Sequence, residues 1–302
     1  VLFELELRRS QADERERHEQ RSLRPLLSLS QARERALRPE PTSFQQPAPA
    51  LGTHRFRPPL AELAEEIDWS ELLDAWSLLR QRDPEAREAA KHLVADARAM
   101  LDRWIAADAR PAQGVMGFFP AAAVGDDVAV YRDEHRQEEL ARFHFLRQQR
   151  GNEDYSAAAN LSLADYLPTA EQAPGYLGLF ILTAGLGLDA LVGDGEPLLA
   201  ASLANLLAEA LSVHMHHQVS RLWTGKSIRP ALGYPACPDH SEKQTLFTLL
   251  DPQGQSGVQL SETFMMLPHA SICGFYIAHP SARLFSVGRI DDEQLGDYAQ
   301  RK

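Results

Sequence analysis

Ser227-Ile228-Arg229-Pro230-Ala231-Leu232-Gly233-Tyr234-Pro235-Ala236-Cys237-Pro238-Asp239-His240 places a guanidinium, a glycine, an aromatic ring and three prolines in one short run. Three prolines fix φ and remove backbone donors, so the run reads as a rigid loop and excludes a helix interior or central strand. Gly233 leaves room for a ligand to approach the main chain. Arg229 suits a carboxylate, Tyr234 a planar ring, and the free amides and carbonyls can read hydrogen-bonding edges.

Before this loop, residues 198–223 carry the longest helical pattern, with an apolar face of Leu199, Leu203, Leu206, Leu207, Ala210, Leu211 and Val219. After it, residues 246–250, 262–266, 271–277 and 284–290 read as a largely strand-like end, closed by a helix at 291–302. Upstream, leucines and tryptophans at spacings of three and four predict helices over 58–79 and 84–105. Residues 114–119 and 127–132 read as short strands around Asp-Asp turn chemistry, and 176–183 as a β-rich run. A helix is expected over 138–150, after a short strand. Strands in clusters with long helices between them give an α+β fold: a twisted, mainly antiparallel sheet flanked by helices.

The chain has 302 residues, 44% hydrophobic and 24% charged, enough for a sizeable core. Its net charge of -11 argues against nucleic acid as a partner, because phosphate binding needs a clustered basic face. Two cysteines, Cys237 and Cys273, are too few for a disulfide framework, and no apolar run is expected to span a membrane. A cytoplasmic location is expected. Residues 8–40 are dense in Arg, Glu and Gln, and 39–49 are proline-rich, so residues 1–50 read as a solvated helical arm and extended linker. The chain starts at Val1, as a fragment of a longer polypeptide would.

The Arg-x-x-x-Gly-Tyr pattern of Arg229, Gly233 and Tyr234 resembles the activation domain of cobalamin-dependent methionine synthase. Further matches are Ile67-Asp68-Trp69, Gly117-Phe118-Phe119-Pro120-Ala121, Val124-Gly125-Asp126-Asp127, Tyr131-Arg132-Asp133, Leu146-Arg147-Gln148-Gln149 and Asp297-Tyr298-Ala299, in the expected order. The resemblance implies an S-adenosylmethionine-binding domain over 51–302, with 1–50 as interdomain linker. It implies that the domain presents the sulfonium methyl to a cobalamin held by another module, restoring that cofactor after oxidation, and that a flavodoxin or similar reductase supplies the electron. No side chain here need act as acid, base or nucleophile, and the isolated chain would not turn over alone.

The same resemblance implies the site residues. Asp68 would accept from the ligand's α-amino group, although an Asp before a helix is also an N-cap. Arg229 would grip the ligand carboxylate, against the alternative of a surface ion pair. The main chain of Gly233, Tyr234, Pro235, Ala236 and Cys237 would face the adenosyl part, with Leu284 and Phe285 beside the adenine. Leu284 stands where the family commonly has an aromatic ring, and the segment between Trp223 and Arg229 is too short to carry the acid that the family places near the ligand. Both departures predict weaker binding.

Four other patterns lead elsewhere. Cys237, His240 and Cys273 lack zinc-ligand spacing, and His214, His216 and His217 read as a solvated helix face. Asp133-Glu134-His135-Arg136-Gln137 resembles a cobalamin-ligand motif but has Gln137 in place of its glycine, and Gly185-Leu186-Gly187 lacks the third glycine of a nucleotide loop. A non-catalytic S-adenosylmethionine sensor or docking module, and a purely structural interaction domain, remain alternative readings.

Overall fold

A computed structural model describes residues 25–44, 50–78, 84–151, 158–192, 196–222, 226–251 and 254–302, with isolated positions 11 and 15. Its helices are α1 (Leu29–Glu34), α2 (Leu60–Ala64), α3 (Trp69–Ala75), α4 (Pro84–Ala106), α5 (Leu188–Val192), α6 (Pro197–Leu222), α7 (Glu242–Leu250) and α8 (Asp292–Arg301). Its strands are β1 (Gly52–Phe56), β2 (Gln113–Val124), β3 (Asp127–Tyr131), β4 (Glu139–His144), β5 (Tyr176–Thr183), β6 (Ser227–Ile228), β7 (Gln259–Leu260), β8 (Met266–Leu267) and β9 (Ser271–Ala278).

The main sheet runs β4-β3-β2-β5-β9-β6, antiparallel throughout, with β1 paired to the Gly114–Phe118 half of β2. Central β5 is apolar on both faces because both are covered. Phe180 and Leu182 pack with Leu63, Leu72, Leu101 and Leu207 of the helices on one side. Leu177, Leu179 and Ile181, alternating with them, meet Phe143, Phe145, Leu246 and Leu250 on the other. The α+β expectation therefore holds. Helix α6 starts with Pro197, whose missing N–H costs nothing at that position. Contrary to the expectation that no run could span a bilayer, Pro197–Val219 is long and apolar enough, but 61% of its most apolar window is buried. In this fold it is a core helix.

Several expected elements differ. Residues 138–150 hold strand β4 and an extended tail where a helix was expected. Phe143 and Phe145 alternate into the core and meet Phe275 edge-on at 4.9 and 5.4 Å, while Glu139 and Arg142 pair on the exposed face. Residues 246–250 are helical because Leu246 and Leu250, four apart, are the buried pair. Of 262–266 only Met266 is in a strand, and 284–290 form an irregular segment without ladder pairing.

The expectation of a solvated arm fails for residues 25–44. Leu26 bridges to Arg150, Ser28 and Gln31 form a capping box, and Leu29 and Ala32 are buried. Ser43 hydrogen-bonds the buried His279 at 3.0 Å. Apart from exposed Gln11 and Arg15, residues 1–24 lie outside the described residues, as do 45–49.

Candidate functional site

The Arg229 loop is stitched to the edge of β9. After β6 pairs Ser227 with Ala278 and Ile228 with Ile277, Phe275 donates to the Pro230 carbonyl and Leu232 to the Cys273 carbonyl, each at 3.0 Å. Main chain crosses main chain so closely that a Cβ on Gly274 would lie 2.4 Å from the Pro230 oxygen. Gly233, at φ +88°, then closes the turn by donating to the Cys237 carbonyl at 2.9 Å. The space expected for a ligand beside Gly233 is filled: a Cβ there would meet the His240 ring at 2.3 Å. Cys237 is 3% exposed, with its thiol pushed well up by burial. Gly233 and Cys237 thus shape the loop, while Tyr234, Pro235 and Ala236 line a groove.

That groove has a volume of about 480 Å³ and is lined on its other sides by Phe180, Glu209, Ser212, Ile272 and Leu284–Ser286. Val287 donates to the Pro235 carbonyl at 2.8 Å, tying the Leu284 segment to the loop. Leu284 and Tyr234 are 61% and 57% exposed and form a rim, with the half-buried Phe285 deeper. Arg229 is half-buried and donates to the Ser212 hydroxyl from α6. It makes no ion pair among the described residues, so the alternative of a surface ion pair does not hold.

Behind Arg229, His216 stacks on Tyr276 with ring centroids 6.0 Å apart and planes at 10°. Phe180, from the groove wall, meets Tyr276 at 5.0 Å. His216 Nδ1 and the Tyr276 hydroxyl are buried without a partner among the described residues. Burial, with the charges of Arg229 and His217, lowers the His216 pKa and keeps the ring neutral near pH 7.

Asp68 is the N-cap of α3, accepting from Ser70 N at 2.9 Å and Ser70 Oγ at 2.6 Å. The capping role stands, and Asp68 remains exposed beyond the groove lining. Glu71, in the first turn of α3, is likewise exposed and outside the groove lining. Burial, then the carboxylates of Glu209 and Asp68, raise the Glu71 pKa, with Arg229 opposing. Burial and the charges of Glu209 and Glu71 likewise raise Tyr234. Asp68, Glu71, Glu209, Arg229 and Tyr234 therefore share one electrostatic neighbourhood. Sequence reasoning missed Glu209 and Ser212, both in the groove lining. Glu209 had a signal: it is a lone acid within Leu206-Leu207-Ala208-Glu209-Ala210-Leu211 of the most apolar helix.

The family of vitamin B12 dependent methionine synthase activation domains matches residues 59–302. The chain belongs to this family. It is similar to the crystal structure of the MetH reactivation domain bound to AdoHcy, at 33% identity and a TM-score of 0.83, covering 92% of this chain and 94% of that one.

In this activation domain the family-matching segments outside the groove form a buried clasp. Arg147, 2% exposed, donates to Asp126 at 2.7 Å, to Asp165 at 2.6 and 2.8 Å and to the Asn160 carbonyl at 2.7 Å. Arg33 bridges Asp126 and Asp297, both at 2.8 Å, and Arg301 joins Asp297 to Asp127. The amide of Gln294 bonds both the Arg147 main chain and Gln149, locking α8 in place. No group of three or more possible metal ligands occurs among the described residues; His240 instead meets Lys243 at 2.8 Å.

Proposed function

We propose that this activation domain binds S-adenosylmethionine in the Arg229 groove and presents its methyl group to a cobalamin held by another module of the synthase. Arg229 carries the reading, because it is the cation in the groove lining and, among the described residues, is bonded only to a hydroxyl, leaving most of its fork for a carboxylate. Asp68 receives the α-ammonium. Tyr234, Pro235, Ala236, Leu284 and Phe285 surround the adenosyl part, while Gly233 and Cys237 hold the loop's shape. Binding of AdoHcy, the demethylated form of this ligand, by the similar reactivation domain supports the assignment.

Residues 51–302 form the binding domain, and 1–50 connect it to a preceding module, with 25–44 folded back onto the body. When bound nearby, the cobalamin supplies the nucleophile, and a flavodoxin-like reductase supplies the electron that makes it competent. This chain supplies position. The Asp133–Gln137 run has Gln137 in place of the glycine of a cobalamin-ligand motif, so the corrin is not assigned to it.

Calorimetric titration with S-adenosylmethionine tests the reading. Saturable binding that Arg229→Ala weakens about 10- to 100-fold is expected; a parent chain that does not bind would overturn it. Turnover should appear only after the remaining synthase modules are added.

A further inference from the structure

The turn that carries one wall of the groove is closed around a histidine. His279, fully buried just after β9, donates its main-chain N–H to the Lys226 carbonyl at 2.9 Å, at the entry to β6. Its carbonyl accepts from Ala282 N at 2.9 Å and its Nδ1 accepts from Ser281 N at 3.0 Å. From this turn the chain runs directly into Leu284, Phe285 and Ser286 of the groove lining. Tyr166, whose ring lies 5.8 Å from that of His279, donates to the Arg283 carbonyl at 3.3 Å. Gln148 donates to the Ser286 carbonyl at 2.6 Å, so the wall is held at both ends.

The other ring nitrogen of His279 is met by the segment 41–44. Ser43 Oγ lies 3.0 Å from Nε2, and the Phe44 ring, itself buried, sits 5.2 Å from the imidazole. The protons fall in one order. Because Nδ1 accepts an N–H, the neutral ring carries its proton on Nε2 and donates it to Ser43 Oγ, which in turn donates to the Glu40 carbonyl at 2.6 Å. The tautomer that closes the 279–282 turn is therefore the one that Ser43 selects. We infer that His279 is a positioning residue for the groove and that residues 41–44 hold it: their docking fixes the tautomer and orientation of the ring, and with them the turn and the Leu284–Ser286 wall. The inference rests on the groove being the S-adenosylmethionine site and goes beyond it by coupling ligand affinity to a segment outside the groove lining. Such coupling is reciprocal, so bound ligand strengthens the docking of residues 41–44.

Calorimetry with S-adenosylmethionine and amide hydrogen exchange, on the parent, Ser43→Ala, Ser43→Thr and Phe44→Ala, test it, with the buried imidazole left in place. Ser43→Ala and Phe44→Ala should each weaken the ligand about two- to fivefold and speed exchange of the Ala282 amide, and Ser43→Thr should keep both near the parent. Saturating ligand should slow exchange of the Ser43 amide, which donates to the Glu40 carbonyl at 2.9 Å. Unchanged affinity in both Ser43→Ala and Phe44→Ala would overturn the coupling, and a loss of affinity without faster Ala282 exchange would overturn the path through His279. A parent that binds no ligand would overturn the groove reading, while Ala282 exchange would still decide whether residues 41–44 hold the turn.

Discussion

Arg147 and Arg229 are both family-matching arginines, and their surroundings are opposites. Arg147 is 2% exposed and its guanidinium is filled by two carboxylates and a carbonyl. Arg229 is half-buried and, among the described residues, is bonded to one hydroxyl and paired with no acid. Complete satisfaction inside the molecule indicates a structural group, and capacity held in reserve at a concave surface indicates a binding group. The contrast explains why one sequence resemblance contains residues with such different work.

Breaking the clasp should have the largest effect on stability. Arg147→Met leaves Asp126 and Asp165 buried without their shared partner, and a loss of about 3–5 kcal/mol is expected in urea unfolding. Ligand stoichiometry per folded molecule should survive; a loss below about 1 kcal/mol would remove the clasp from the comparison. Gly274→Ala comes next, at about 1–3 kcal/mol, because its methyl must displace the Pro230 main chain. Here ligand affinity should fall along with thermal stability, since the displaced backbone carries the groove.

Arg229→Ala should reverse the pattern. Stability should stay within about 0.5 kcal/mol while ligand affinity falls about 10- to 100-fold, the difference between losing a charged hydrogen bond and losing a buried pair. The smallest expected effect is acid sensitivity from His216. Its folded pKa is lowered, so its contribution to stability is present above the unfolded value near 6.5 and is lost as pH falls. His216→Gln should flatten the slope of stability against pH between about 7 and 5 by less than about 1 kcal/mol. An unchanged slope would show that burial does not hold the His216 pKa below its unfolded value.

The sequence made β5, α6, α8 and the Arg229 loop legible because each is announced by local chemistry: an apolar run, a long apolar face, an Asp291 cap and three prolines. Strand β4 was hidden because Glu139 and Arg142 made its exposed face resemble a polar helix face. The run Thr245-Leu246-Phe247-Thr248-Leu249-Leu250 supports either period, and only the partners of Leu246 and Leu250 decide it. Ser212 was invisible as a site residue because periodicity identifies a buried face and says nothing about what borders it across space. The packing of α1 against Asp126 and Asp297 was likewise hidden, since an arginine-rich segment looks solvated until its acids are located.

The hydrogen bonds from Leu232 and Phe275 give the groove an unusual kind of loop. Its main chain is joined to β9, which is itself paired across six positions with β5 at the centre of the sheet. The amide of Leu232 should therefore exchange with deuterated water as slowly as a strand amide, opening only when the sheet edge opens. A ligand entering such a groove finds its contacts already ordered, so little of its binding energy is spent on immobilising the loop.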